Sequence, residues 1–458
     1  MTPRALLLVI VGAVTLHSQA PEADTFKFRD GSGRSLSVTL EAVGNTIAMT
    51  WPENAGAEWD TALLGISVGP GPGGEANFQP FAEISAAEVS DQQHFASGET
   101  GPRWLNLSFL RGKVTGGTRV SISMLGATIP TGAAPLRLFS KGFDLSGRIL
   151  VLAPHPDDAE IAAFGLWAYR DATIVTITTG NAGPRNYEAV FDDLAEMYHF
   201  KGRIRLIDSI TVPWQGGIPP DRTFNMGYFD ARLAEMHDTP TAVIPEMYGP
   251  NTDLGSYLKY NLGSLLPKRP RESKWTNLVD DLDTVLKKVK PEIIVAPHPQ
   301  LDSHADHAFT MVALGEALSR RRQRVALLLY TNHADRNRYP YGPAGTIMSL
   351  PPPLAQDVPI DRVYSHPVSG DLQRQKLFAL ESMHDLRSSP SRLYSVEVGE
   401  DRAAEPEKDG PSAVGGVAYL RRAPRSNELF FVHDQATVKP TIDAFLASWR
   451  ARPTKKPN

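Results

Sequence analysis

The residues of this chain best suited to chemistry stand in two clusters. The first is His155-Pro-Asp157-Asp158-Ala-Glu160, and the second is His298-Pro-Gln-Leu-Asp302-Ser-His304-Ala-Asp306-His307. Carboxylates crowded this closely repel one another unless protons, a cation or water separate them. Imidazole nitrogen and carboxylate oxygen together suit a borderline divalent metal. The chain has no cysteine, so thiolate metal sites, cysteine nucleophiles and disulfides are excluded. A catalytic metal of this kind takes three protein ligands and keeps a position for water. Asp157 and Asp158 are adjacent and their side chains diverge, so one can ligate while the other faces the water and takes its proton. The second cluster can supply the remaining ligand. His304 and His307, at i and i+3, share a side if Ser303 opens a helix, and Asp306 between them can orient an imidazole. An isolated histidine or Asp-Asp pair is ordinarily a surface or turn feature; two such clusters in matching positions make a site.

The matching positions are strand ends. Each cluster follows an aliphatic run, residues 149–152 and residues 293–296. Such runs read as buried parallel strands. Parallel strands point the same way, which puts both clusters on the carboxyl rim of one sheet, where open α/β folds hold ligands. Further strands are expected at 173–178, 204–207 and 325–330. Amphipathic helices are expected around Val190, Leu194 and Met197, around Leu278, Leu282, Val285 and Val289, and over 309–321. Strands alternating with helices give an α/β fold with a Rossmann-like, mainly parallel sheet. Residues 213–272 are irregular and rich in Pro, Gly and aromatics, as functional loops and insertions are. After 351–353 the pattern weakens. A helix over 373–386 carrying Lys376 and His384, strands near Val417 and Phe430, and a helix over 441–449 complete it.

Ahead of this half, hydrophobic residues alternate with period two: Leu36, Val38 and Leu40; Leu105, Leu107 and Phe109; Val120, Ile122 and Met124. That pattern predicts antiparallel strands and a small all-β, sandwich-like domain. Trp51, Trp59 and Trp104 there could stack on a sugar, but a place in the core or at its rim is the weightier reading. Residues 130–147 read as a linker. At the N-terminus, Arg4, an apolar run over 5–16 and Ser18-Gln-Ala20 have the make-up of a secretory signal peptide, with an uncleaved anchor as the weaker alternative. The expected segments are therefore a signal peptide at 1–20, an all-β domain at 25–138 and an α/β domain at 146–450. The mature chain is expected to be exported, periplasmic or secreted, with no membrane span. A net charge of -4 without a basic stripe argues against nucleic acid as partner. The first βα turn holds His-Pro-Asp-Asp instead of Gly-x-Gly-x-x-Gly, which excludes a dinucleotide site of the NAD type.

The paired motifs, His155-Pro-Asp-Asp-Ala-Glu160 and Asp302-Ser-His-Ala-Asp-His307, resemble those of the LmbE-like (PIG-L) deacetylases. The resemblance spans residues 146–435, with Thr178-Thr-Gly-Asn-Ala-Gly183 and Lys376-Leu-Phe-Ala-Leu-Glu-Ser-Met-His384 as supporting stretches. It implies an LmbE-like fold and a zinc-dependent hydrolase that removes the N-acetyl group of an N-acetylglucosamine-type sugar or glycoconjugate. It further implies that His155, Asp158 and His307 bind zinc and that Asp157 is the general base. His304 would stabilise the oxyanion or protonate the leaving amine, and Asp306 would orient an imidazole. Iron or manganese fit the same donors. Two positions depart from the family. Ile161-Ala-Ala-Phe164-Gly165 replaces a glycine-rich turn, so Phe164 is expected to narrow or reshape the pocket, and Ala305 replaces a proline. Neither is a proposed ligand, but substrate preference does not carry over. Arg185 is a candidate substrate contact, with a structural salt bridge an equal alternative. Two other functions fit the residues: a metal-dependent hydrolase of a non-sugar amide or ester, and a catalytically inert glycan-binding protein. The sugar and the oligomeric state leave no mark in the sequence.

Overall fold

A computed structural model describes residues 26–71 and 79–452, apart from 186, 189, 264, 268, 270, 323, 354–357 and 387–418. The signal-peptide segment 1–20 and the strand expected near Val417 lie outside the described residues.

The site-bearing sheet has seven strands: β1 (Ile149–Ala153), β2 (Ala172–Thr178), β3 (Thr223–Tyr228), β4 (Ile293–Pro297), β5 (Ala326–Tyr330), β6 (Arg362–Pro367) and β7 (Asn427–His433). Their order is β3-β2-β1-β4-β5-β7-β6. Pairing is parallel from β3 to β5 and antiparallel at β5–β7 and β7–β6. β1 and β4 are buried along their whole length, as continuous aliphatic runs require when both faces are covered. The principal helices are α1 (Asp158–Trp167), α2 (Leu194–Thr211), α3 (Trp275–Val289), α4 (Ala305–Ser319), α5 (Gly370–Glu381) and α6 (Gln435–Arg450).

β1 and β4 are direct neighbours, with Ile149 opposite Ile293 and Val151 opposite Val295. From β1 the chain adds β2 and β3 on one side; it then crosses over to add β4 and β5 on the other. The loops after β1 and β4 consequently leave the same rim side by side, where strand order reverses and a crevice opens.

The structure differs from the sequence reading in four places. Residues 132–139, inside the expected linker 130–147, form an antiparallel strand paired with residues 34–40 on one side and 61–64 on the other, because alternate residues Ala134, Leu136 and Leu138 are buried. Residues 204–207 are helical, inside α2, because Leu206 and Ile210 bury one helical face; a short apolar run does not distinguish a strand from a buried helix turn. The third strand is instead β3, within the aromatic-rich stretch. Val190 is exposed and precedes α2, which starts at Leu194 with Asp193 accepting the Glu196 N–H as its cap. Phe164 is fully buried against Trp167, ring centroids 4.7 Å apart, and lines the core rather than a pocket.

That core placement follows from a break in α1. Ala163 leaves helical geometry (φ -147, ψ 19), so the next N–H groups lose their intrahelical acceptors. Glu428 of β7 replaces them, accepting from Gly165 N at 2.8 Å and Leu166 N at 2.9 Å. Lys376 of α5 neutralises Glu428 at 2.9 Å, and both side chains are buried.

The described residues of 34–71 and 79–139 form a nine-stranded antiparallel sheet around a separate apolar core that includes Trp51, Leu64, Ile84, Leu105, Ile122 and Leu136. Trp51 and Trp59 are buried there, ring centroids 5.3 Å apart, and Trp104 meets Phe28 edge-on at 4.9 Å. These are packing positions: Trp51 and Trp59 lie in the core and Trp104 is half-buried at its edge. The two sheets are joined by polar contacts. Asn106 Nδ2 donates to Met348 O at 2.8 Å and Ser365 Oγ at 3.0 Å, and Asp91 accepts from Ile347 N at 3.0 Å and Ser426 Oγ at 2.6 Å. The loop after β5 thus rests on the first sheet. Among the described residues no helix is long and apolar enough to cross a membrane.

Candidate metal centre

His155 lies in the turn after β1, Asp158 opens α1, and His307 lies in the first turn of α4. Three of their atoms face one another. His155 Nδ1 is 3.2 Å from His307 Nε2 and 3.3 Å from Asp158 Oδ2, and His307 Nε2 is 3.1 Å from Asp158 Oδ2. All three side chains are buried. A tetrahedral cation with ligand bonds of ~2.0–2.1 Å holds its donors about 3.3 Å apart. The triangle already has that spacing, and its two nitrogens and one oxygen fit a divalent metal.

The far side of each imidazole fixes which nitrogen carries the proton. His307 Nδ1 is 2.9 Å from Asp302 Oδ2, so its proton sits there and Nε2 presents a lone pair to the triangle. His155 Nε2 is 3.1 Å from Asp230 Oδ1 and 3.4 Å from Asp306 Oδ2, which leaves Nδ1 as the donor atom. Carboxylates behind ligating imidazoles are the usual backing of a metal site. Asp158 is held as firmly: its Oδ1 accepts from Asn332 Nδ2 at 2.7 Å and its Oδ2 from the His155 N–H at 2.8 Å. Asp302 accepts three backbone N–H groups, from His304 (3.0 Å), Asn332 (2.9 Å) and His333 (3.2 Å).

The electrostatics match. Burial pulls His307 toward the neutral form, but the Asp158 and Asp302 charges overcome it and push the imidazole up to about 9. His155 is likewise raised, against burial, by Asp230, Asp158 and Asp306. Burial works to raise Asp158, and the two imidazoles hold it well below the ordinary carboxyl range. Protons on imidazoles thus balance the buried acids, and a cation between the same atoms can replace them.

Asp157 points elsewhere. Its Oδ2 accepts from Arg205 Nη2 of α2 at 3.0 Å. Arg205 also donates to Gly180 O at 3.3 Å and faces Asp385 Oδ2 at 3.7 Å. Burial raises the Asp157 carboxyl, with Arg205 opposing. His304 caps α4, its Nδ1 accepting the Asp306 N–H at 3.2 Å, and its ring stands edge-on to His155 with centroids 4.5 Å apart. Burial and the neighbouring imidazoles depress His304 far below the usual histidine range, so it is neutral with its proton on Nε2. Asp306 accepts from Ala231 N at 2.6 Å and Leu233 N at 3.2 Å, and the imidazole it faces is that of His155. Arg185 is exposed on the loop after β2, beside the Tyr198 hydroxyl.

Sequence reasoning assigned no role to Asp230, Asn332, His333 or Arg205, and quoted Asp302 without one. Asp230 follows β3, and Asn332 and His333 follow β5, so the strand-end rule was the available signal. Arg205 sits within a helix, where nothing distinguished it.

Residues 150–318 match the family model PIG-L, described as GlcNAc-PI de-N-acetylase, which bears out the resemblance read from the paired motifs. Among solved structures, the chain is similar to GalB, the 4-carboxy-2-hydroxymuconate hydratase from Pseudomonas putida KT2440, at 11% identity over 68% of this chain and 99% of that chain, with a TM-score of 0.26. It is also similar to a family two carbohydrate esterase from Cellvibrio japonicus, at 11% identity over 66% of this chain and 90% of that chain, with a TM-score of 0.16. At those TM-scores neither likeness bears on function. No curated protein matches the chain.

Proposed function

We propose that this chain, with its PIG-L match over residues 150–318, is a metal-dependent hydrolase that removes the N-acetyl group of an N-acetylglucosamine-type sugar or glycoconjugate. The observation that carries this reading is the buried triangle of His155 Nδ1, Asp158 Oδ2 and His307 Nε2 with a further carboxylate, Asp157, held beside it by Arg205. His155, Asp158 and His307 would hold the cation, zinc first among those suited to two imidazoles and a carboxylate, with iron and manganese also compatible. Bound there, it would supply Lewis acidity toward an acyl oxygen and acidify a water.

The chain's own groups divide the remaining work. Asp157 accepts the proton of the attacking water, and its contact with Arg205 fixes one carboxylate oxygen and therefore the direction of the other. His304, with its proton on Nε2, donates to the oxygen that gains charge as the acyl carbon becomes tetrahedral. Asp302, Asp230 and Asp306 keep the two ligand imidazoles in the required tautomers. When the C–N bond breaks, the proton held by Asp157 passes to the amine nitrogen, leaving acetate and a free amine. The same reading takes residues 1–20 as an export signal, residues 25–138 as an all-β domain and residues 146–450 as the catalytic domain of a periplasmic or secreted enzyme.

Acetate release from a panel of N-acetylglucosamine compounds tests this, with metal-loaded and chelated protein side by side. Release that depends on metal is the expected result. No release from any sugar, with one metal per chain still bound, would move the substrate to non-sugar amides and esters.

A further inference from the structure

His333 lies in the loop after β5, beside the triangle. Its donor atom lies within 4.8 Å of those of His155, Asp158 and His307. Its ring centroid is 4.7 Å from that of His307 and 5.4 Å from that of His304. The His333 backbone N–H donates to Asp302 Oδ2, the oxygen that also faces His307. One carboxylate therefore fixes the positions of both imidazoles.

The tautomer decides what His333 can do. Its Nδ1 is 2.9 Å from Asn337 Oδ1. A carboxamide oxygen only accepts, so Nδ1 carries the proton and Nε2 carries the lone pair. His304 is the opposite case. Its Nδ1 accepts a backbone N–H, so its Nε2 carries the proton and is a donor. Two imidazoles thus flank the triangle with opposite polarity: His304 can donate to a substrate oxygen, and His333 can ligate. His304 also lies in a second potential group with His155 and Asp230, but its tautomer excludes it as a ligand.

The loop that holds His333 in this state is shaped for it. Asp335, Arg336 and Asn337 all have positive φ, at 47, 54 and 63. Three successive side-chain-bearing residues in that region persist only where the surroundings impose it. Tyr341 Oη donates to Asp335 Oδ2 at 2.8 Å, and Arg422 donates to Asn337 O at 3.2 Å and to Arg338 O at 3.0 Å. The resulting turn brings Asn337 Oδ1 back onto His333.

We propose that His333 is a fourth protein ligand of this centre, giving three imidazoles and one carboxylate. This rests on the metal-site reading above but not on the acetylated substrate. Four protein donors fill a tetrahedral ion, so a position for water then requires coordination number five or higher, which zinc can reach and iron, manganese and cobalt adopt readily.

The test is X-ray absorption on the full chain loaded with Co2+, counting imidazoles around the metal, together with a competition titration of Co2+ affinity. The expected result is three imidazoles in the native protein and two in His333→Gln, with affinity at least about tenfold weaker. Asn337→Gly accommodates the positive φ while removing the acceptor, and should weaken binding in the same direction. This second variant serves if His333→Gln fails to fold. Two imidazoles in the native protein, or unchanged affinity in both variants, would overturn the proposal while leaving the deacetylase reading intact. A folded chain that binds no Co2+ at all would overturn both.

Discussion

Asp302 Oδ2 lies 2.9 Å from His307 Nδ1 while also receiving the backbone N–H groups of Asn332 and His333. A single oxygen from the turn after β4 thereby fixes His307 on α4 and the loop after β5. Asp302→Asn removes the charge behind His307 and sets an amide N–H against a backbone N–H group whichever way the amide turns, since both carboxylate oxygens accept from the backbone. Metal affinity should fall about 10- to 100-fold, read by competition titration, with an unchanged circular dichroism spectrum. Full affinity in this variant would show that Asp302 does not orient the ligand.

Asp157 is held by Arg205 and takes no part in the triangle. Asp157→Asn should therefore bind one metal per chain as the native protein does. Its kcat should fall about 10²- to 10⁴-fold with little change in KM. Steady-state kinetics with metal analysis on the same sample checks both halves, and retained turnover would remove Asp157 from the base role.

The Lys376–Glu428 pair is buried and also secures the second half of α1. Lys376→Met leaves the Glu428 charge uncompensated and should cost about 3–5 kcal/mol in urea unfolding. Adding Glu428→Gln should restore part of the loss, since the amide oxygen still accepts an N–H from the broken helix. A double variant no more stable than Lys376→Met would refute the charge explanation.

His94 lies between the first sheet and the loop after β5, stacked on Phe81 at 5.0 Å, with neither ring nitrogen hydrogen-bonded. Burial, aided by the Arg425 charge, lowers its pKa to about 4 from the ordinary 6.5. Above pH 6.5 the ring is neutral in folded and unfolded chains alike. Between 6.5 and about 4 the unfolded chain takes up a proton that the folded chain refuses, so acidification through that window favours unfolding. His94→Phe should lose less thermal stability than the native protein over the same window. Parallel pH dependences of Tm in the two proteins would sink this account.

Much of the centre was open to sequence reading because its ingredients are local. A buried strand announces itself by an aliphatic run, and β1 and β4 begin at Ile149 and Ile293, inside the runs that predict them. The clusters that follow hold His155, Asp158 and His307, which the structure brings together. The antiparallel half was open too, because period two survives in Leu36, Val38 and Leu40. What stayed hidden depends on strand order. Asn332 reaches Asp158, and Asp230 reaches His155, because β5 and β3 lie where they do in the sheet. Arg205 reaches Asp157 from a helix whose apolar residues read equally well as a strand. Glu428 is a charge on a fully buried strand, and its purpose exists only because α1 breaks at Ala163.

Strand β7 is an interior strand, paired with β5 on one side and β6 on the other. A chain is made from its N-terminus at roughly 5–20 residues per second. Residues 155, 158 and 307 are therefore all synthesised well before the strand that completes the sheet. Until residues 427–433 leave the ribosome, β6 has no neighbour in this sheet and α1 lacks its clamp. A nascent chain that has reached residue 426 thus carries His155, Asp158 and His307 on a sheet still missing an interior strand, with Gly165 N and Leu166 N still lacking the Glu428 carboxylate.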